Sequence, residues 1–224
     1  YIGSATTVEE DLFFRNLDGT ATWHAEIPRG AGTLLTDVTL TNLSRSAGMI
    51  ITGFEVTCRV VPFGEEGDGA VVYTMKTVFG FFPKEALANQ KGLPVTDADR
   101  ARLAEPCDVR VDLTAQPARY CGGTLRLASP MLRMIDRVTG YWPTGGRKGL
   151  GRLRSEKDVR PEEWFFKAHF FQDPVQPGSL GLEAMVQLLQ FWCLEQGWGE
   201  GMAHPRFEPL AIGKELGWKY RGQV

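Results

Sequence analysis

A chain of 224 residues can hold one large or two small domains, and its 43% hydrophobic and 11% aromatic content supplies enough apolar surface for a real core. A formal net charge of -2 removes the electrostatic case for nucleic acid or an anionic membrane surface as the main partner. Cys58, Cys107, Cys121 and Cys193 show no CxxC or paired-ligand spacing and only three histidines accompany them, so no metal site is expected, and four scattered thiols fit a reducing, cytoplasmic setting. No signal peptide or membrane span is legible. The chain opens on Tyr1 and ends in strand-like sequence, so it is expected to be a piece of a longer polypeptide.

Residues 1–20 are mixed, with an aromatic pair at Phe13-Phe14 and a turn signal at Asp18-Gly19. From Thr20 the pattern turns to β. Alternation and β-branched residues predict strands over 22–27, 33–43, 48–60 and 70–82, separated by Gly/Asp/Pro clusters such as residues 62–69. Four consecutive strands with short links predict an antiparallel meander. Between Pro83 and Gly123 the pattern is lost apart from short helices expected at 84–89 and 97–103, so residues 86–122 read as a linker between two units. The second unit opens with a short helix or strand entry over 125–139, followed by strands expected around 149–155 and 163–170. A Gly-rich loop follows at 197–201, and a last strand begins near Trp218.

One stretch organises the second unit. The aromatic run Trp164-Phe165-Phe166 leads to His169, a two-proline loop (Pro174, Pro177) follows, and an almost wholly apolar helix is predicted from Pro177 to about Glu195. Pro177 suits a first helical turn, where its missing N–H has no partner to lose, and Gly178 and Ser179 leave donors free to meet negative charge. Leu182, Met185, Val186, Leu188, Leu189, Trp192 and Cys193 spread apolar surface around most of the cylinder, which predicts a helix enclosed by its own domain. Glu183 and Gln187 are four residues apart and share a face. A buried acid bonded to an amide near a histidine suits proton transfer, whereas a lone histidine beside aromatics is ordinarily a structural group. His24 and His204 lack an acid at useful spacing and read as structural.

Trp164-Phe165-Phe166, His169, Asp173-Pro174-Val175, Pro177-Gly178, Leu180-Gly181-Leu182 and the closing Tyr220-Arg221-Gly222-Gln223-Val224 together resemble the bacterial 3-hydroxyacyl-carrier-protein dehydratase/isomerase family, whose fold is the hot-dog. The resemblance runs from near Leu125 to Val224. In the first half, Ala47-Gly48-Met49-Ile50-Ile51, Phe79-Gly80-Phe81-Phe82 and Leu87-Ala88-Asn89-Gln90 resemble the dehydratase region of polyunsaturated fatty acid synthases, which are multidomain, polyketide-like enzymes. The implied fold is α+β, an antiparallel sheet wrapped around a long central helix. Residues 1–85 would be the closing strands of one hot-dog unit and residues 123–224 the opening part of a second.

The resemblance implies a catalytic His169, an acidic partner in Glu183, a Gly178 N–H that polarises a thioester carbonyl, and a Val175 carbonyl that orients the imidazole. Ser179, Gln187 and Phe171 join Val175 as expected substrate-binding positions. No cofactor is implied. The implied partners are acyl carrier protein bearing a phosphopantetheine-linked 3-hydroxyacyl chain, the neighbouring synthase domains, and a second hot-dog packed helix to helix, as a dimer or pseudo-dimer. Bifunctional members carry Asp where this chain has Glu183, Cys where it has Ser179 and Gly where it has Gln172. Glu is the acid of related dehydratases that do not isomerise, so dehydration is implied and isomerisation is left open. A non-catalytic hot-dog scaffold and a hot-dog thioesterase are the competing readings. The first has no need of His169 and Glu183, and the second lacks the 173–178 approach to the helix.

Overall fold

The computed structural model describes residues 11–170, 172–208 and 211–224. They form two compact units, one of residues 11–93, 208 and 211–223 and one of residues 94–170, 172–207 and 224. Among the described residues no helix is long and apolar enough to cross a membrane.

The first unit is built on a five-stranded antiparallel sheet. Its strands are β1 (Phe13–Trp23), β2 (Thr33–Ser46), β3 (Met49–Val61), β4 (Ala70–Phe82) and, from the far end of the chain, β8 (Glu215–Lys219), in the order β2-β3-β4-β1-β8. Ala47 and Gly48, with φ of 49° and 74°, close the β2–β3 hairpin in the left-handed conformation that matches the twist of paired strands. The register makes the sheet two-faced. Val38, Val56, Met75, Ala21 and Leu216 fall in one cross-strand row, while Thr39, Glu55, Lys76, Thr20 and Gly217 fall in the next, on the opposite side. The polar side is laced by ion pairs between Lys76 and Glu55 at 2.8 Å and between Arg59 and Asp37. Helix α1 (Lys84–Ala88) follows β4.

Two expectations for this unit are corrected. The first strand is residues 13–23 rather than 22–27, and Asp18-Gly19 is no turn but lies inside β1, beside the irregularity between Asn16 and Asp18. A Cβ on Gly19 would stand 2.5 Å from Trp218 Cζ2 and 2.7 Å from the Lys76 carbonyl, so glycine is there for the close approach of β8. The meander holds for β2, β3 and β4, but β1 pairs with β4 and not with β2. Its link to β2 crosses three strand spacings, about 14 Å, well within the reach of residues 24–32.

The second unit pairs a three-stranded antiparallel sheet with one long helix. Helix α2 (Asp97–Ala104) starts in a capping box in which Thr96 Oγ1 accepts from the Asp99 N–H while the Asp99 carboxylate accepts from Thr96. Strands β5 (Val111–Asp112), β6 (Arg137–Trp142) and β7 (Arg152–Glu156) form the sheet, with helix α3 (Ala118–Cys121) between β5 and β6. Helix α4 (Gly178–Glu195) lays Ala184, Leu188, Phe191 and Leu194 on a core of Leu113, Tyr120, Leu127, Ile135 and Val138. The 4-3-3 spacing of those four positions is a helical stripe. The helix stops in a Schellman motif: Trp198 N–H donates to the Cys193 carbonyl and Gly197 N–H to Leu194, with Gly197 at φ 69° and Trp198 folded against Trp192.

The helix is not enclosed all round. Only Gln187 and Phe191 are fully buried, while Met185 and Leu189 are 62% and 59% exposed. One stripe meets the sheet, and a three-stranded sheet is too narrow to wrap the rest. The strand expected over 163–170 is likewise absent. Trp164–Lys167 is a 3₁₀ turn, with Phe166 and Ala168 N–H groups donating to the carbonyls three residues back. The aromatic run favours strands by composition, but only Phe165 is buried, and Trp164 instead donates its indole N–H to the Met131 carbonyl at 2.9 Å.

Candidate active site

The 3₁₀ turn delivers His169 to a tight loop whose hydrogen bonds close on themselves. His169 N–H donates to the Phe165 carbonyl at 2.9 Å, Val175 N–H donates to the His169 carbonyl at 2.9 Å, and Phe170 and Asp173 exchange backbone bonds at 2.9 and 3.2 Å. Gln172 lies within this loop at φ 57°, a conformation in which glycine is the unstrained residue. The half-buried imidazole lies against Phe170, tilted by 32° with ring centres 3.7 Å apart, and its Nδ1 lies 2.8 Å from the Val175 carbonyl. A carbonyl oxygen can only accept, so Nδ1 must carry the hydrogen. In the neutral ring, Nε2 then holds the lone pair. Val175 itself is 3% exposed, which keeps its carbonyl away from competing water.

Two residues on, Pro177 is the N-cap of α4 and supplies no side-chain cap, so the first-turn N–H groups meet no capping oxygen. Gly178 and Ser179 at that start are exposed. One turn further in, Glu183 accepts from Gln187 Nε2 at 2.7 Å. Gln187 is wholly buried, and its amide is spent on the protein. The second Nε2 hydrogen goes to the Leu132 carbonyl at 2.9 Å, and Oε1 accepts the Met134 N–H at 2.7 Å. That last bond forbids a flipped amide, because it would set two donors face to face. Gln187 therefore always presents N–H to Glu183 Oε1, and Oε2 is the oxygen left to hold a proton when the acid is neutral.

Sequence reading had no means to find the brace common to both groups, because its key members are backbone atoms. Residues 131–136 receive Trp164 through the Met131 carbonyl and Gln187 through the Leu132 carbonyl and the Met134 N–H. The carboxylate of Asp136 accepts from Lys157 at 3.1 Å and from the Asp158 N–H at 2.9 Å. Lys157 also donates to Glu163, at the start of the 3₁₀ turn, at 2.7 Å. Burial works against the charge on Lys157, but the bonds to Glu163 and Asp136 outweigh it and raise the ammonium above its ordinary value.

The expected site residues thus fall into two held groups, His169 with Val175 and Glu183 with Gln187, flanking the open start of α4 at Gly178 and Ser179. Among the described residues no hydrogen bond joins His169 to Gly178 or Glu183. Phe171 lies outside the described residues. Among the described residues no three His, Cys, Asp or Glu side chains are grouped to hold a metal ion.

Residues 127–224 match the FabA-like domain family. Almost the entire chain, 98% of it, aligns at 32% identity over 244 residues with one of the subunits of the polyunsaturated fatty acid synthase of Thraustochytrium sp., and spans about 15% of the length of that protein. Residues 127–224 therefore belong to the FabA-like family and carry its hot-dog fold, with the long helix α4 seated on an antiparallel sheet.

Proposed function

We propose that this chain removes water from 3-hydroxyacyl thioesters presented on acyl carrier protein, giving 2-enoyl thioesters during fatty acid synthesis. The observation that carries the reading is the His169–Val175 bond, because it leaves the neutral ring with an unprotonated Nε2, the form a general base requires. The domain match to the FabA-like family supports the same chemistry.

In this reading His169 Nε2 takes the proton from C2 of the acyl chain. The negative charge moves onto the thioester oxygen and meets the Gly178 N–H at the start of α4. The electron pair then forms the C2–C3 double bond as the C3–O bond breaks, and Glu183 Oε2 protonates the departing hydroxyl, so that water leaves. His169 ends with one proton more and Glu183 with one fewer, and returning that proton resets the site. Removing one oxyanion donor of this kind costs about 3 kcal/mol of barrier. Gln187 acts by positioning Glu183 rather than by touching substrate, and Val175 does the same for His169 through its carbonyl. Ser179 and Phe171 are proposed to meet the acyl chain.

The helix stripe left open at Met185 and Leu189 supports a pairing of α4 with a second hot-dog helix, so that the histidine and acid of one site come from different units. The first unit, β1–β4 with β8, is assigned to the closing strands of one hot-dog and the second to the opening part of the next; the linker expected over 86–122 is not carried forward, because residues 94–122 belong to the second unit and Leu113 and Tyr120 lie in its core. The working setting is the cytoplasm, beside the other domains of a synthase.

The test is incubation of the chain with a 3-hydroxyacyl thioester and mass detection of the products. Loss of water with the thioester intact, falling roughly 10²–10⁴-fold in His169→Ala, is the expected result. Unchanged turnover in that variant defeats the assignment, and thioester cleavage in place of water loss makes the site a thioesterase.

A further inference from the structure

A cavity of about 700 Å³ in the second unit, lined by Arg102, Gly146, Arg147 and Arg152, has no part in the chemistry above. Its cations come from three places in the sequence: the last turn of α2, the turn between β6 and β7, and the first residue of β7. Arg154 brings them together by donating to the carbonyls of Leu103 and Glu105 at 2.6 and 2.8 Å, which fastens the end of α2 to β7. Arg152 is held in place by Glu105 and by the face of Trp142, 3.9 Å from its guanidinium carbon.

Among the described residues Arg102 is tied only to Asp99, in an exposed pair at 3.3 Å that contributes little and exchanges readily. Arg147 is exposed and enters no ion pair among the described residues. Neither Asp99 nor Glu105 lines the cavity. Gly146, at φ 80°, presents bare backbone at the wall. Among the described residues, three guanidinium groups line one space with only two carboxylates, Asp99 and Glu105, behind them, which leaves a positive charge for an anion to meet. Their planar forks match the oxygens of a phosphate better than a single point charge does. The volume exceeds that of a phosphate alone and lies in the range of small-molecule sites.

We propose that this cavity binds a phosphorylated small molecule, with Arg147 and Arg152 on the phosphate and Arg102 exchanging Asp99 for it. The proposal stands whether or not the dehydratase reading does. It is tested by calorimetric titration of the full chain with inorganic pyrophosphate and, separately, with phenyl phosphate, whose ring probes the rest of the cavity. The expected result is one saturable site, weakened on the order of tenfold by Arg147→Ala and severalfold by Arg102→Ala, with affinity falling as salt rises. A gain for phenyl phosphate over pyrophosphate identifies an organic phosphate as the natural class, and binding no tighter than that of pyrophosphate identifies the free anion. Arg147 is exposed in a turn, so its loss leaves the fold intact. Absence of saturation at millimolar concentration, or affinity unchanged in both variants, overturns the site. Binding of an acidic peptide where pyrophosphate fails to bind overturns it in favour of a protein surface.

Discussion

The Nδ1–H of His169 donates to the backbone carbonyl of Val175 at 2.8 Å, and the Val175 N–H returns a bond to the His169 carbonyl at 2.9 Å. The reciprocal pair fixes both the ring and the loop that turns the chain from the 3₁₀ segment towards α4. Long-range proton–nitrogen correlation spectra of nitrogen-labelled protein should therefore show neutral His169 as the tautomer protonated at Nδ1, with Nε2 bare. The opposite tautomer would remove the lone pair that the proposed proton abstraction needs.

Gln187 is the second point at which one side chain determines a site. Replacing it with Leu keeps the volume and the helix but strands the buried Met134 N–H and removes the donor of the part-buried Leu132 carbonyl. A buried polar group left without a partner costs about 1–3 kcal/mol, so Gln187→Leu should lose about 1–3 kcal/mol in urea unfolding. In any assay of dehydration it should lower kcat more than it raises KM, because Glu183 is then free to swing. A stability change under half a kcal/mol would show that the amide is not the brace.

The parts of the molecule legible in the sequence are those whose signal is local. The helix start at Pro177, its stop before Gly197, the two short helices after β4 and the hairpin strands β2, β3 and β4 all follow from neighbours a few residues apart. The misread parts depend on distant partners. Asp18-Gly19 has the composition of a turn, and only Trp218, some two hundred residues on, explains why glycine sits inside a strand. Trp164-Phe165-Phe166 has the composition of a strand, and only the Met131 carbonyl and the Lys157–Glu163 pair explain why it coils instead. The His169 loop and the Glu183–Gln187 spacing were legible as pattern. Their common brace at residues 131–136 was not, since backbone amides and carbonyls carry no letter.

The close approach at Gly19 gives a sharp contrast between two glycines. Gly19→Ala would set a methyl 2.7 Å from the Lys76 carbonyl, which is backbone of the neighbouring strand and cannot turn aside. It should destabilise by about 1–3 kcal/mol and loosen β8 from β1, seen as a change in Trp218 fluorescence before global unfolding. Gly181→Ala meets nothing within 4 Å and lies inside α4, so it should stabilise by about 0.5–1 kcal/mol. Equal effects at the two positions would contradict the β1–β8 pairing.

The β6–β7 edge should give the unit a defined response to acid. Arg137 bonds Asp158 at 2.5 and 3.0 Å and Glu156 at 2.7 Å. Hydrogen bonding from Arg137 holds the Asp158 carboxyl down at about 2, against 3.8 for the free side chain, and moves Glu156 in the same direction. A carboxylate whose folded value is depressed contributes stability that is fully present above its unfolded value and lost as pH falls through the folded one. The network therefore supports the fold above about pH 4 and stops doing so near pH 2. Arg137→Gln should lower the urea midpoint at pH 6 by a small amount, because these groups are solvent-exposed and screened, and the gap from the unaltered protein should close as the pH approaches 2. A gap that persists unchanged at pH 2 would mean that Arg137 stabilises by packing its stem and not through its charge.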